Sequence, residues 1–456
     1  MTAAKKKLTL QIDIKPLLMA KKKAPAKKAP AKKGTATPTI PAAGGPATTP
    51  LPSGQLPVNN PEFGEVQPEP DDPTSNKIKH PSDTALYGKI NKHLLQAVPD
   101  PLRPDDMILT LDRVYGSAGK AKVADIKKQK QIVFHAGGDT GPIKGPQTVE
   151  AVADKLCNDF SGETTADTPA FFFHLGDVVY SFGEARYYYD QFYEPFRNYP
   201  APILAIPGNH DGLVYTGDAE PSLDAFKRNF VNSDFVITPE AGGLRRTGMI
   251  QPAVYFALDA PFITIIGLYS NVLEDPGVIS SQNGKYPAVG DVQLTFLTDQ
   301  LKRVKNSGNA VIVAVHHPPF SGGSTHSGSP DMLADLDSCC KKAGFWPHAF
   351  LSGHAHNYQR FTRTAGSNYD IPYLVTGNSG HGLSSIKGNK NGPLRTPVQI
   401  NSTLWFENYD DKNYGYLRIT VNAKQLIIEY HDANPDQKSY SDAVTVDLAT
   451  HKLVSN

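Results

Sequence analysis

From residue 131 onward, apolar residues fall into short runs separated by polar, Gly-rich stretches. The runs 131–134, 170–175 and 203–206 have the length of buried strands and are too short for helices. Between them, 146–160 spaces Val149, Val152, Leu156 and Phe160 as one face of a helix, and 184–199 reads as a Tyr/Phe-rich helix. Farther along, 223–230 predicts a short helix, and 254–258 with 262–268 a pair of strands. Residues 291–305 predict a helix presenting Leu294, Leu297 and Leu301 on one face. Strands are predicted at 311–315, 349–351 and 371–376, a helix at 330–343, and a hairpin from 416–421 and 425–431 around Asn422-Ala423-Lys424. Residues 386–413 read as a long polar loop. Strands alternating with helices, followed by strand-rich segments, predict an α/β chain of two packed sheets with helices outside.

The N-terminal part follows another pattern. Residues 21–75 are Lys-Ala-Pro repeats and then Thr/Pro/Gly/Ala sequence, too poor in apolar surface to offset the entropy of ordering. The expected organisation is a disordered tail at 1–75, an extension at 76–130 with a helix near 90–98, a catalytic domain at 131–435 and a C-terminal tail at 436–456. Charge is divided the same way. The first 33 residues hold eleven Lys and one Asp, leaving 35 basic and 44 acidic residues for the rest. A mildly acidic body argues against a broad nucleic-acid-binding face on it; the tail lysines either contact polyanions weakly or keep the tail solvated. Cys157, Cys339 and Cys340 are too few for a disulfide framework. Asp13 and Lys15 interrupt the segment 8–20, so no cleavable signal is expected, nor any membrane span, and a cytoplasmic location is favoured.

Five apolar runs end in groups that can ligate metals: Gly138-Asp139-Thr140-Gly141, Gly176-Asp177-Val178-Val179-Tyr180, Gly208-Asn209-His210-Asp211, Val315-His316-His317, and Gly353-His354-Ala355-His356. Each alone is weak, since Gly-Asp-Thr-Gly and Gly-Asn-His-Asp are both fair turns. Gly-His-x-His is stronger, because alternate residues of a strand share a face. All five in this order give carboxylates, an amide and imidazoles, a mixed O/N set that suits two first-row metal ions better than one. His135 and His174, in or beside strands, read as packed core histidines. His381 either faces the site or packs. The Tyr-rich run at 187–193 reads as a packing face, and Glu184 and Asp190 as solvated.

With these motifs, 131–435 resembles the calcineurin-like metallophosphoesterases, and within them the purple acid phosphatases. The resemblance implies a four-layer αββα sandwich with a dinuclear centre at the sheet edge. It implies Asp139, Tyr180 and His356 on one ion, Asn209, His316 and His354 on the other, and Asp177 bridging. The broader superfamily begins Asp-x-His. Here position 141 is Gly, and Tyr180 stands where the purple branch supplies a phenolate. A phenolate implies Fe(III) at the first position; Fe(II), Zn(II) or Mn(II) fits the second. His210 would bind phosphate or protonate the leaving alkoxide, oriented by Asp211. His326 stands where plant members carry the second of two adjacent substrate-loop histidines; Thr325 departs from the first. The plant enzymes' N-terminal fibronectin-like domain has no clear match.

The expected function is hydrolysis of small phosphorylated substrates, phosphomonoesters first, by a metal-bound hydroxide. The alternatives are a phosphodiesterase acting on nucleotides or glycerophosphodiesters, and a polyanion-binding protein acting through its Lys-rich tail. The pocket is expected from loops 212–253, 276–290 and 386–413.

Overall fold

Strand Ala310–Val315 shows how the sequence makes layers. Ala310, Ile312 and Ala314 join the core between two sheets, whereas Val311, Val313 and Val315 join a second core under helices Val292–Val304 and Pro330–Ala343. Alternate side chains of a strand point to opposite faces, so a continuous apolar run is what a strand covered on both sides requires. The helices answer with Leu297, Leu301 and Val304, and with Met332, Leu336, Cys339 and Cys340, all buried. Burying each large apolar side chain contributes about 1.5–3 kcal/mol.

The computed structural model describes residues 49–50, 95–142, 145–161, 164–214, 221–388, 393–437 and 439–454. All lie within the unit Pro46–Asn456. The Lys-rich tail lies outside the described residues, except that Thr49–Pro50 pairs antiparallel with Val236–Ile237.

One sheet has seven strands, in the order Lys452–Leu453, Asp442–Asp447, Gln425–Asp432, Gly415–Asn422, Gln131–Gly137, Pro169–His174, Ile203–Ala205. The other has nine: Val398–Asn401, Leu404–Asp410, Tyr358–Ala365, Tyr369–Thr376, Ala349–Ser352, Ala310–Val315, Ile263–Leu268, Phe256–Ala260, Ile108–Thr110. Helices flank them, as the two-sheet α/β sandwich requires.

Several expectations are corrected. The sheets take in residues on both sides of 131–435: Ile108–Thr110 pairs with Phe256–Ala260, and Asp442–Asp447 pairs with Gln425–Asp432. Helix Gly119–Gln129 precedes the first central strand; of the helix expected near 90–98, residues 90–94 lie outside the described residues and 95–98 carry no helix. The polar loop 386–413 contains strands Val398–Asn401 and Leu404–Asp410. Val398–Asn401 is the sheet's edge and Leu404–Asp410 lies next to it; only Leu404 and Phe406 are buried in the two, too few to give a readable pattern. Segment 184–199 is a 3₁₀ turn, Ala185–Tyr187, and a π-helical turn, Tyr189–Tyr193, rather than one α-helix. Pro195 follows and cannot donate to a regular ladder. The aromatic residues still pack, with Tyr187, Tyr188, Phe192 and Tyr193 buried.

Candidate metal centre

Gln131–Gly137, Pro169–His174 and Ile203–Ala205 run parallel in one sheet. Ile263–Leu268, Ala310–Val315, Ala349–Ser352 and Tyr369–Thr376 run parallel in the other. Their C-terminal ends deliver Asp139, Asp177 and Asn209 from the first sheet and His316, His354 and His356 from the second. The C-terminal edge of such strands is where α/β folds bind ligands. Asp139, Asp177 and His354 take φ values of 59°, 54° and 67°, in the left-handed region that costs a non-glycine about 1–3 kcal/mol and persists where its surroundings hold it. The holding contacts run between the motifs. The Asp139 N–H donates to the Gly176 carbonyl at 2.9 Å, the His354 N–H to Asp139 Oδ2 at 2.8 Å, and the His210 N–H to Asp177 Oδ1 at 2.8 Å. Gly208 permits a close approach of the two turns, since a Cβ there would lie 2.0 Å from Asp177 Oδ1.

The side chains gather in two sets around one oxygen. Tyr180 Oη donates to Asp139 Oδ1 at 3.0 Å and Asp177 Oδ2 at 2.9 Å, and lies 3.4 Å from His356 Nε2. His316 Nε2 lies 3.2 Å from the same Asp177 Oδ2 and 3.1 Å from Asn209 Oδ1, which His354 Nδ1 approaches to 3.2 Å. Asp177, His316 and His354 can each turn a ligand atom to a common point. The seven residues whose motifs suggested ligands therefore meet, and all but His356 are fully buried. So much buried polarity needs a compensating charge, and the O and N donors fit the expected pair of ions.

Burial alone would raise the Asp177 carboxyl, but His316 and His210 outweigh it and hold it far below the usual range. Burial would lower His316; Asp177 and Asp139 overcome that and push it up to about 9. Burial, with the Asp139 and Asp177 charges, pushes the Tyr180 phenol well above its ordinary value.

His210 and His326 line a cavity of about 490 Å³ together with Thr148, Glu274, Thr325, His356, His381, Leu383, Ser384 and Tyr414. Among the described residues, the three long loops expected to shape the pocket supply none of this lining. His210 Nδ1 is 2.9 Å from the Ser181 carbonyl, which keeps the proton on that nitrogen. The expected partner, Asp211, is engaged elsewhere: its carboxylate accepts the Gly208 N–H at 2.9 Å and the Val178 N–H at 3.1 Å. These bonds tie the Asn209 turn to the Asp177 turn, so Asp211 braces both backbones rather than the imidazole. Burial, then the neighbouring His356, pushes His326 down to about 3, so it stands neutral beside the His354 ring, with centroids 4.4 Å apart.

Of the open readings, His381 faces the site. It stacks on Tyr180 with ring centroids 3.5 Å apart, and its Nδ1 donates to the Gly141 carbonyl at 2.8 Å. His135 and His174 are packed core residues, bonded to Tyr199 and Asp159 and to Thr140. Glu184 is buried, accepting the Phe182 N–H at 3.1 Å, rather than solvated. Two contributors gave no motif signal. Gln191 bonds both the N–H and the carbonyl of Tyr180, at 2.9 and 3.1 Å, and the π-helical turn aims it there. Glu274 accepts from Asn209 Nδ2 at 3.4 Å.

Residues 134–358 match the family model of calcineurin-like phosphoesterases. No curated protein matches the chain. Among solved structures, the chain is similar to purple acid phosphatase PPD1 from yellow lupin (Lupinus luteus) seeds, at 17% identity over 70% of this chain and 54% of that one, with a TM-score of 0.47. It is similar to PhoD at 14% identity over 72% of both chains, TM-score 0.44. A dimetal phosphatase from Danio rerio shares 12% identity over 68% of this chain and 99% of that one, TM-score 0.38. The chain thus spans about half the length of the lupin protein. Among the described residues, no helix is long and apolar enough to cross a membrane.

Proposed function

We propose that this chain, whose residues 134–358 match the calcineurin-like phosphoesterase family model, hydrolyses phosphate esters, phosphomonoesters first, at two metal ions held between the ends of its sheets. The observation that carries this reading is Asp177 Oδ2, which lies 2.9 Å from Tyr180 Oη and 3.2 Å from His316 Nε2 and so divides the donors into two sets sharing one oxygen. Asp139, Tyr180 and His356 would hold one ion; Asn209, His316 and His354 would hold the other; Asp177 would serve both. A phenolate is a hard anionic ligand, which favours Fe(III) at the first position and a purple-type centre. Fe(II), Zn(II) or Mn(II) suits the second, where a neutral amide and two imidazoles are the donors. Bound there, the pair supplies an activated water and neutralises charge on the phosphoryl oxygens.

The chain's own residues do the rest. Ser181 fixes the proton of His210 on Nδ1, leaving Nε2 to carry a proton to the leaving oxygen. His326, neutral and at the same cavity, contacts the phosphate or leaving group through hydrogen bonds rather than charge. His381 stacks on Tyr180 and limits its swing. The lysines of the tail contact polyanions at most weakly and take no part in the chemistry.

The test is metal analysis of the purified protein alongside hydrolysis of one monoester and one diester. About two ions per chain and a faster monoester reaction are expected. Protein that binds no metal, or that holds two ions and cleaves neither ester, would sink the reading; a faster diester reaction would move it to the phosphodiesterases.

A further inference from the structure

The turn after strand Ile263–Leu268 carries two carboxylates, Glu274 and Asp275, that no motif marked. Each faces the outer side of a side chain assigned above to the second ion. Glu274 Oε2 lies 3.4 Å from Asn209 Nδ2. An amide bonded outward through its nitrogen must point its oxygen inward, toward His316 and His354, which is where that oxygen is found. Asp275 Oδ1 lies 3.7 Å from His354 Nε2, a buried ring nitrogen without a hydrogen-bond partner. His354 turns its other nitrogen, Nδ1, to Asn209 Oδ1. A neutral imidazole that ligates through Nδ1 carries its proton on Nε2, and that N–H aims at a carboxylate. Asp275 is itself anchored, since its Oδ1 accepts the N–H and hydroxyl of Ser327 at 3.2 and 3.1 Å.

We propose that Glu274 and Asp275 are positioning residues for the second ion, Glu274 fixing which amide atom of Asn209 faces it and Asp275 fixing the tautomer and ring angle of His354. Outer partners of this kind orient ligands and raise their basicity, and removing one weakens metal binding by about 10–100-fold. Glu274 reaches Asn209 and Asp275 reaches His354, both in the set around the second ion, so the effect falls on that ion. The inference rests on the two-metal reading above.

The experiment is Zn(II) affinity by chelator competition, with total metal content, on the full chain and on Asp275→Ala, Asp275→Asn and Glu274→Ala. Expected for both Ala variants is a 10–100-fold weaker second ion, with the first retained and an unchanged unfolding midpoint of the metal-free protein. Asp275→Asn, which keeps an acceptor oxygen, should recover part of the loss. Wild-type affinity at both positions in the Ala variants would overturn the proposal while leaving the two-metal reading intact. Equal loss of both ions would overturn it as well. A full chain binding fewer than two ions would overturn both readings. A third ion in the full chain that disappears in Asp275→Ala would make Asp275 a ligand and overturn its positioning role.

Discussion

Tyr180 shows how far a single residue depends on its setting. Its phenol is fully buried, bonded to two carboxylates, stacked on His381 and held through its backbone by Gln191. If it ligates Fe(III), the oxidised, iron-loaded protein should show a visible phenolate-to-iron charge-transfer band. Tyr180→Phe should remove the band while Asp139, Asp177 and His356 keep the ion more weakly. A band that survives this substitution, or none in the parent, would leave a colourless metallophosphoesterase. His210 yields a different signature. His210→Ala should keep both ions and lose about 10²–10⁴ in rate, the usual worth of a positioned acid. The loss should shrink for esters whose leaving group needs no proton, and equal losses across leaving groups would restrict His210 to binding phosphate.

At the scale of elements, the tight turns past the strand ends decide whether the ligands meet. The 208 turn and the 177 turn touch through the Asp211 bonds and through Gly208, where a methyl group would collide with Asp177 Oδ1. Gly208→Ala should therefore displace the shared carboxylate and deplete both ions, while the two cores stay packed. Metal content and far-ultraviolet circular dichroism measured together check this, and full occupancy would contradict it. The same principle explains a reading that failed. Asp211 follows His210 in sequence, but a short helical turn directs it back to backbone N–H groups, and the carbonyl that holds His210 comes from Ser181. Adjacency along a chain does not predict which side chains meet once the backbone turns.

At the scale of the molecule, His348 joins the two sheets. Its Nδ1 accepts the Val311 N–H at 2.9 Å, and its Nε2 faces the carbonyl of Leu448, just past strand Asp442–Asp447, at 3.4 Å. Burial, then the stacked His451, pushes it down to about 3. The native protein keeps this imidazole neutral, whereas the unfolded chain takes up a proton below its ordinary value of 6.5. Stability from this group is therefore complete above that pH and falls as the pH drops toward 3, by up to about 1.4 kcal/mol per pH unit. His348→Gln should be less stable than the parent at pH 7.5 and lose less between pH 7.5 and 5, read as urea midpoints. Parallel losses in the two proteins would show that the group does not titrate this way. The unit Pro46–Asn456 holds every residue of the candidate centre, so deleting residues 1–45 should leave ester hydrolysis unchanged. A large loss of turnover would return the Lys-rich tail to the functional account.

The chain's apolar runs were sufficient to read the central strands, because a strand buried on both faces must be apolar throughout. Helix 330–343 was legible to the residue, with Ser329 capping it, Pro330 opening it and Gly344 closing it in the left-handed conformation. The seven proposed ligands were legible for a related reason: each follows a run that has to end, beside a glycine or at a turn the chemistry needs. The strands Val398–Asn401 and Leu404–Asp410 were not legible, since only Leu404 and Phe406 are buried in them, and neither was the outer support of the site. Gln191, Glu274, Asp275 and Ser181 act through position alone. A glutamine, two acids and a carbonyl carry no motif, and only the folded course of the loops past the strand ends brings them within hydrogen-bonding or ion-pair distance of the residues they hold.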